Sequence, residues 1–303
     1  MWSIYRKAYM IDQTITVDLP FRKVARKLYE AAIAIVNKPL CLAAAESIAA
    51  AAEKGDVAFI ITGFPILEKN ACETDGPLGA AVFSETLRSM GVKPILVTDD
   101  LCVDVVKATS PDTVVAVCPT DNEAEGLLDR HKPSVLIAIE RPGANERGEY
   151  HTMRGTNISH LISSRTDHLF KRAKKLGIAT IAVGDGGNEL GCGAIIEAVR
   201  KHVPYGAKCQ CPCNGSIAAA TPADILVIGG TSNWASYGIA ACLSLIKELK
   251  YEHTREGELQ LLKRVISAGA VDGVTGEKKP SVDGLPMPIN GLIVDLIWEI
   301  ANA

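Results

Sequence analysis

The chain reads as an α/β protein: a single doubly wound, mostly parallel sheet of about six strands with helices on both faces, preceded by an N-terminal helical segment. Three observations predict this fold. Short apolar, β-branched runs recur along the sequence, segments with apolar residues at helical spacing separate most of them, and clusters of glycine, proline and acids follow the strands.

In order, Phe21 to Val36 and Leu40 to Glu53 carry Ala, Leu and Ile at helical spacing. Residues 1–56 are therefore expected to form a helical segment packed on an α/β catalytic domain of residues 57–303. Val57 to Thr62 is the first buried strand, followed by a glycine- and acid-rich loop to Gly76 and a helix from Leu78 to Met90. Pro94 to Thr98, Thr113 to Val117, Ser134 to Glu140, Ile178 to Val183 and Asp224 to Gly229 supply the other strands. Periodicity is lost from Arg141 to Ser164 and from Ala270 to Pro288. Long irregular stretches inside a compact domain are usually functional or disordered, and the specific polar residues in these two mark them as active-site loops. There is no internal repeat and no linker marking a further domain.

With 303 residues, 48% hydrophobic and 22% charged, the chain can bury a sizeable core. A net charge of −3 without a long basic run argues against nucleic acid or an acidic membrane as principal partner and favours a small molecule. No signal-peptide core and no run near about 18 apolar residues is present, so a cytoplasmic location is expected. Homo-oligomerisation is left open. The nine cysteines, odd in number and scattered, read as reduced thiols. Cys209, Cys211 and Cys213 alternate, which in an extended segment points three sulfurs to one side. Zinc sites commonly use a Cys-x2-Cys knuckle with a distant second pair, so a thiol-rich loop is preferred over a structural zinc site.

The densest chemistry lies in Ile178 to Gly193, where a buried strand is expected to run through Asp185-Gly-Gly-Asn188-Glu189 into a helix. Glycines permit close backbone approach, and amides at a helix start favour an anion. Glu189 occupies the position of the third glycine of a dinucleotide fingerprint, which argues against that ligand. Asp185, Asn188 and Glu189 are candidate catalytic residues, and Asp185 with Glu189 could hold a divalent Mg or Mn ion; helix capping is the competing role for Asp185 alone. His151 is a candidate acid or base, or a loop hydrogen-bonder. Arg154 and Arg141 can clamp a carboxylate bidentately, with solvated surface arginine as the alternative. Asp75, just before Pro77, is either a ligand or a helix cap. Ser232 and Asn233 follow a glycine pair after the last strand and offer hydroxyl, carboxamide and backbone donors for an anion, compatible with capping.

Thr74 to Ala80 (TDGPLGA), Glu140 to Gly143 (ERPG), Tyr150 to Gly155 (YHTMRG), Val183 to Glu189 (VGDGGNE), Ser232 to Trp234 (SNW) and Gly269 to Val274 (GAVDGV) together resemble the D-glutamate cyclase family. The resemblance extends from about Val57 onward. It implies a hydro-lyase that converts D-glutamate to 5-oxo-D-proline with loss of water, acting on a free acidic amino acid. The Cys209 to Cys213 insert has no place in that pattern. Such a reaction needs a cationic group at the γ-carboxyl, a base for the ammonium, an acid for the departing oxygen and a clamp for the α-carboxyl. A related enzyme on another small carboxylate and a non-catalytic sensor of an anionic metabolite are the competing readings.

Overall fold

The computed structural model describes residues 2–110 and 113–303. Helices α1 (Ile4–Ile15), α2 (Ala25–Val36) and α3 (Leu40–Ala52) precede the first strand, β1 (Val57–Thr62). A small hairpin, β2 (Pro65–Ile66) and β3 (Ala71–Cys72), leads to α4 (Pro77–Ser89) and β4 (Lys93–Val97). Then follow α5 (Val103–Thr109), β5 (Val114–Ala116), α6 (Asp121–His131), β6 (Val135–Ile139), α7 (Thr166–Lys175), β7 (Ala179–Gly184), α8 (Ile196–His202), β8 (Ile225–Ile228) and α9 (Ser232–Lys247). The chain closes with α10 (Arg255–Ser267), the hairpin β9 (Ser281–Val282) and β10 (Leu285–Pro286), and α11 (Met287–Asn302).

Six strands form one all-parallel sheet in the order β5-β4-β1-β6-β7-β8. The chain moves outward through β4 and β5, then returns beside β1 and proceeds the other way. That reversal between β1 and β6 opens a crevice at the carboxyl ends of the strands, where ligands of open α/β sheets bind. β6 is buried along its whole length, which is why its sequence is an uninterrupted apolar run. Among the described residues no single helix is long and apolar enough to cross a membrane.

The strands predicted from sequence are all present, displaced by a residue or so at their ends. Two local differences have clear causes. Helix α2 begins at Ala25 rather than Phe21, because the Asp18 carboxylate accepts from the backbone amides of Arg22 (2.8 Å) and Lys23 (2.5 Å) and ties residues 18–23 into a turn. Helix α1, unforeseen, buries Ala8, Ile11 and Ile15 on one face against α9 and α11. The helical segment thus shares its core with the sheet layer, and Gly230 at the β8–α9 turn lies so close to it that an added Cβ would sit 2.3 Å from the Val17 carbonyl oxygen.

Candidate functional site

Three carboxylates from three separate turns meet at the sheet's point of reversal. Asp75 precedes α4, Glu140 follows β6 and Asp185 follows β7, and one oxygen from each lies within 4.8 Å of the others. All three are buried. Glu73 and Asp283 line the same cleft, together with Arg22, Asn188 and Arg154 at its mouth. Its volume is about 140 Å3, near the size of a cavity that takes a benzene-sized molecule.

Asp75 is held by two helices that cap each other. Its carboxylate accepts from the amides of Ser232 (2.9 Å) and Asn233 (2.8 Å) at the start of α9. In return the Asn233 side-chain oxygen accepts from the amides of Gly76 (2.9 Å) and Gly79 (2.8 Å) at the start of α4. Gly76 has φ 90°, and a Cβ there would press on the Glu140 Cβ and Thr62 Oγ1 at 2.8 Å. Glu140 has φ 42°, a left-handed backbone uncommon for a glutamate, and its carboxylate accepts from the Ser232 hydroxyl at 2.5 Å. Ser232 and Asn233 therefore act on the cleft through Asp75 and Glu140.

After Gly184 the chain does not enter a helix at once. Residues 185–192 form an irregular turn, and α8 begins only at Ile196. The cause is Glu189, whose carboxylate bends back to accept from the amides of Gly186 and Gly187, each at 2.7 Å, and from the Cys192 thiol. The amides expected to face an anion are thus occupied by the chain's own carboxylate, and the acids grouped with Asp185 are Asp75 and Glu140. Asn188 Nδ2 donates to the His151 carbonyl (2.9 Å), leaving its buried Oδ1 without a partner. Asp185 Oδ2, Asp283 Oδ2 and Thr62 Oγ1 are likewise buried without a hydrogen-bond partner among the described residues.

Arg22, from the turn between α1 and α2, is the cation set among the acids, with Arg154 at the mouth. Its guanidinium pairs with Asp185 and, at 2.6 Å, with Asp283. One arginine does not balance five acids. Burial, with Asp185 next, pushes the Asp75 carboxyl up to about 7. Burial, then the charge of Asp185, lifts Glu140 well above the usual carboxylate range; burial, then Asp283, does so for Glu73. Burial raises Asp283 too, against the pull of Arg22. Room for Glu73 is left by Gly273, where a Cβ would lie 2.0 Å from the Glu73 Oε2.

The remaining candidates lie elsewhere. Arg141 is fully buried and engages Asp99 bidentately, Thr166 and the Ser164 carbonyl, which makes it a structural clamp on the loop that follows β6. Arg154 is exposed at the cleft mouth, 3.9 Å from Glu68. His151 turns away from the carboxylates, its Nε2 against the sulfurs of Cys211 and Cys213. Sequence reasoning had no grip on Arg22, which sits outside every motif, and left Glu73 and Asp283 unassigned. Glu140 had two visible signals, its place at the end of a buried strand and its membership of the Glu140 to Gly143 block.

A doubly wound parallel sheet with a small acid-lined cleft at its reversal point defines an α/β protein whose cleft lies where ligands of such folds bind. Residues 11–297 match the family described as D-glutamate cyclase-like, C-terminal, and the chain belongs to that family. It is 34% identical over 208 residues to D-glutamate cyclase, mitochondrial, of Homo sapiens, a match covering 62% of this chain. The chain spans 32% of that human protein's length.

Proposed function

We infer that this chain is a D-glutamate cyclase, a hydro-lyase closing D-glutamate to 5-oxo-D-proline with loss of water. The observation that carries the reading is the convergence of Asp75, Glu140 and Asp185 on a small cleft in a chain of this family. Buried acids with free lone pairs suit an ammonium and the protons the reaction moves. Asn188 Oδ1 is an unpartnered acceptor for the substrate amine, and a carboxylate of the cleft takes the proton that frees it for attack. Arg154, with its guanidinium exposed at the mouth, is the clamp for a substrate carboxylate.

A substrate with two carboxylates enters such a cleft only if positive charge offsets the acids. We infer that Asp75, Glu140 and Asp185 hold a divalent Mg or Mn ion, since hard oxygen ligands select such ions. Bound there, the ion would neutralise the γ-carboxyl and make it an electrophile. Incubating the protein with D-glutamate, L-glutamate and related acids, and following loss of water by mass, tests the reaction. Loss confined to D-glutamate is expected; no turnover of any acid, with or without Mg or Mn, overturns it.

A further inference from the structure

The structure points to a second metal centre, which nothing in the cyclase chemistry requires: we propose that His151, Cys209, Cys211 and Cys213 bind one structural zinc ion. The four ligand atoms lie within 4.8 Å of one another. Cys209 Sγ is 3.4 Å from both Cys211 Sγ and Cys213 Sγ, and His151 Nε2 is 3.1 Å from Cys211 Sγ and 3.6 Å from Cys213 Sγ. Three sulfurs about 2.3 Å and one nitrogen about 2.0 Å from a tetrahedral zinc would stand roughly 3.5–3.8 Å apart, so small outward shifts complete the shell. All four donors converge on one point, and Cys3His is an established structural zinc set.

Two of the three sulfurs, Cys211 and Cys213, sit among amide donors. The amide of Cys213 donates to Cys211 Sγ (3.5 Å) and that of Gly215 to Cys213 Sγ (3.4 Å), while the side-chain amides of Asn145 and Asn157 approach the same two sulfurs at 3.9 and 4.0 Å. Donors aimed at sulfur stabilise the charged, ligating form and hold it in place. His151 is buried, and its other ring nitrogen has no partner among the described residues, so the thiols are the ring's polar neighbours. The Cys-x-Cys-x-Cys run, read by itself, lacks a fourth ligand; the histidine comes from a loop about sixty residues upstream.

That origin gives the centre its role. Zinc would bind the loop of residues 205–217 to the loop of residues 145–157, already joined by Gln210 N to Gly155 O (3.1 Å) and Asn145 Nδ2 to Ser216 O (2.7 Å). The second loop carries Met153 and Arg154 to the cleft, and the carbonyl of His151 itself orients Asn188. The zinc is a positioning element for one wall of the site, separate from the carboxylate cluster.

Protein purified without added zinc and analysed by plasma mass spectrometry should carry about one zinc per chain, and the Cys211→Ser, Cys213→Ser double variant less than a tenth of that. Exchange of the wild-type metal for cobalt should give thiolate-to-cobalt charge-transfer absorption and tetrahedral ligand-field bands. Cobalt at the carboxylate cluster gives neither. Wild-type protein with zinc well below one per chain and no charge transfer on cobalt addition overturns the proposal, as does a disulfide joining Cys209 to Cys211 or Cys213. Zinc retained at full content by the double variant also overturns it. Should the double variant not fold, the wild-type cobalt spectrum decides the matter alone.

Discussion

Asp185 and Glu189, four residues apart, do different work. Asp185 presents a free oxygen to the cleft, whereas Glu189 spends both oxygens on the turn beneath it. Asp185→Asn should therefore lower kcat/KM on the order of 10²-fold by removing a preorganised charge, with a smaller loss of stability than Glu189→Ala because Arg22 keeps its pair with Asp283. Glu189→Ala should instead cost about 2–3 kcal/mol of stability by leaving buried amides unpaired. Steady-state kinetics and thermal melts on the two variants separate these roles; equal stability losses would show that Asp185 is structural too. The two arginines differ in the same way. Arg154→Lys should reduce kcat/KM roughly tenfold in a fully folded protein, because a point charge does not replace a planar fork. Arg141→Ala, which strands the buried Asp99, should cost about 3–5 kcal/mol, read as a urea midpoint. At this scale the sequence pointed to the loops that build the cleft but not to which way their side chains face: nothing local distinguishes an arginine that lines a cleft from one that locks a loop.

Elements are held by carboxylates donated from elsewhere in the chain. Helix α3 has Pro39 at its N-cap and no capping side chain of its own, yet Asp12 of α1 accepts from the amides of Leu40 (2.6 Å) and Cys41 (3.1 Å) and from the Tyr29 hydroxyl (3.2 Å). Asp12→Ala should destabilise the protein by about 2–3 kcal/mol, measured by denaturant titration; a midpoint matching wild type would show that the caps are dispensable. Asp272 organises the loop of residues 270–288 by accepting from the amides of Val274, Thr275 and Gly284. Burial works against its ionisation, but the Ser281 hydroxyl and these amides outweigh it and hold the carboxyl below its ordinary 3.8. A depressed folded-state value means the unfolded chain binds the proton more tightly, so this stability is present above about pH 4 and lost as pH falls further. Asp272→Asn should lower stability at neutral pH and flatten the acid limb of a stability–pH profile. An unchanged acid limb would remove Asp272 as its source. Strand runs were legible because a parallel strand buried on both faces must be apolar throughout. Long-range caps were not, since the capping box and N-cap rules reach only along one helix, and α1 was hidden because two of its charges, Lys7 and Asp12, are buried while Ile4, Tyr5 and Tyr9 face solvent, which blurs the helical pattern.

For the whole molecule, the strand order explains why the acids converge. Asp75, Glu140 and Asp185 lie far apart in sequence, but each follows a sheet strand or its attached hairpin, and parallel β1, β6 and β7 are neighbours. Strand order itself was not legible, because any permutation of six buried strands satisfies the same apolar pattern. The N-terminal segment completes the assembly through Arg22, which pairs with Asp185 and Asp283. A ligand that binds only the folded state raises its stability by about 2.7 kcal/mol when present at a hundred times its dissociation constant. For a chain of this size each kcal/mol moves the melting temperature by about 2–4 °C, so saturating Mn or Mg should raise it by roughly 5–10 °C. Asp185→Asn and Glu140→Gln should abolish that rise, whereas the Cys211→Ser, Cys213→Ser variant, if folded, should keep it. Activity should disappear on chelation and return with Mn or Mg but not with zinc alone. A melting temperature indifferent to both ions, alongside turnover that survives exhaustive chelation, would sink the carboxylate metal site; the acids would then balance their charge with protons and the substrate ammonium.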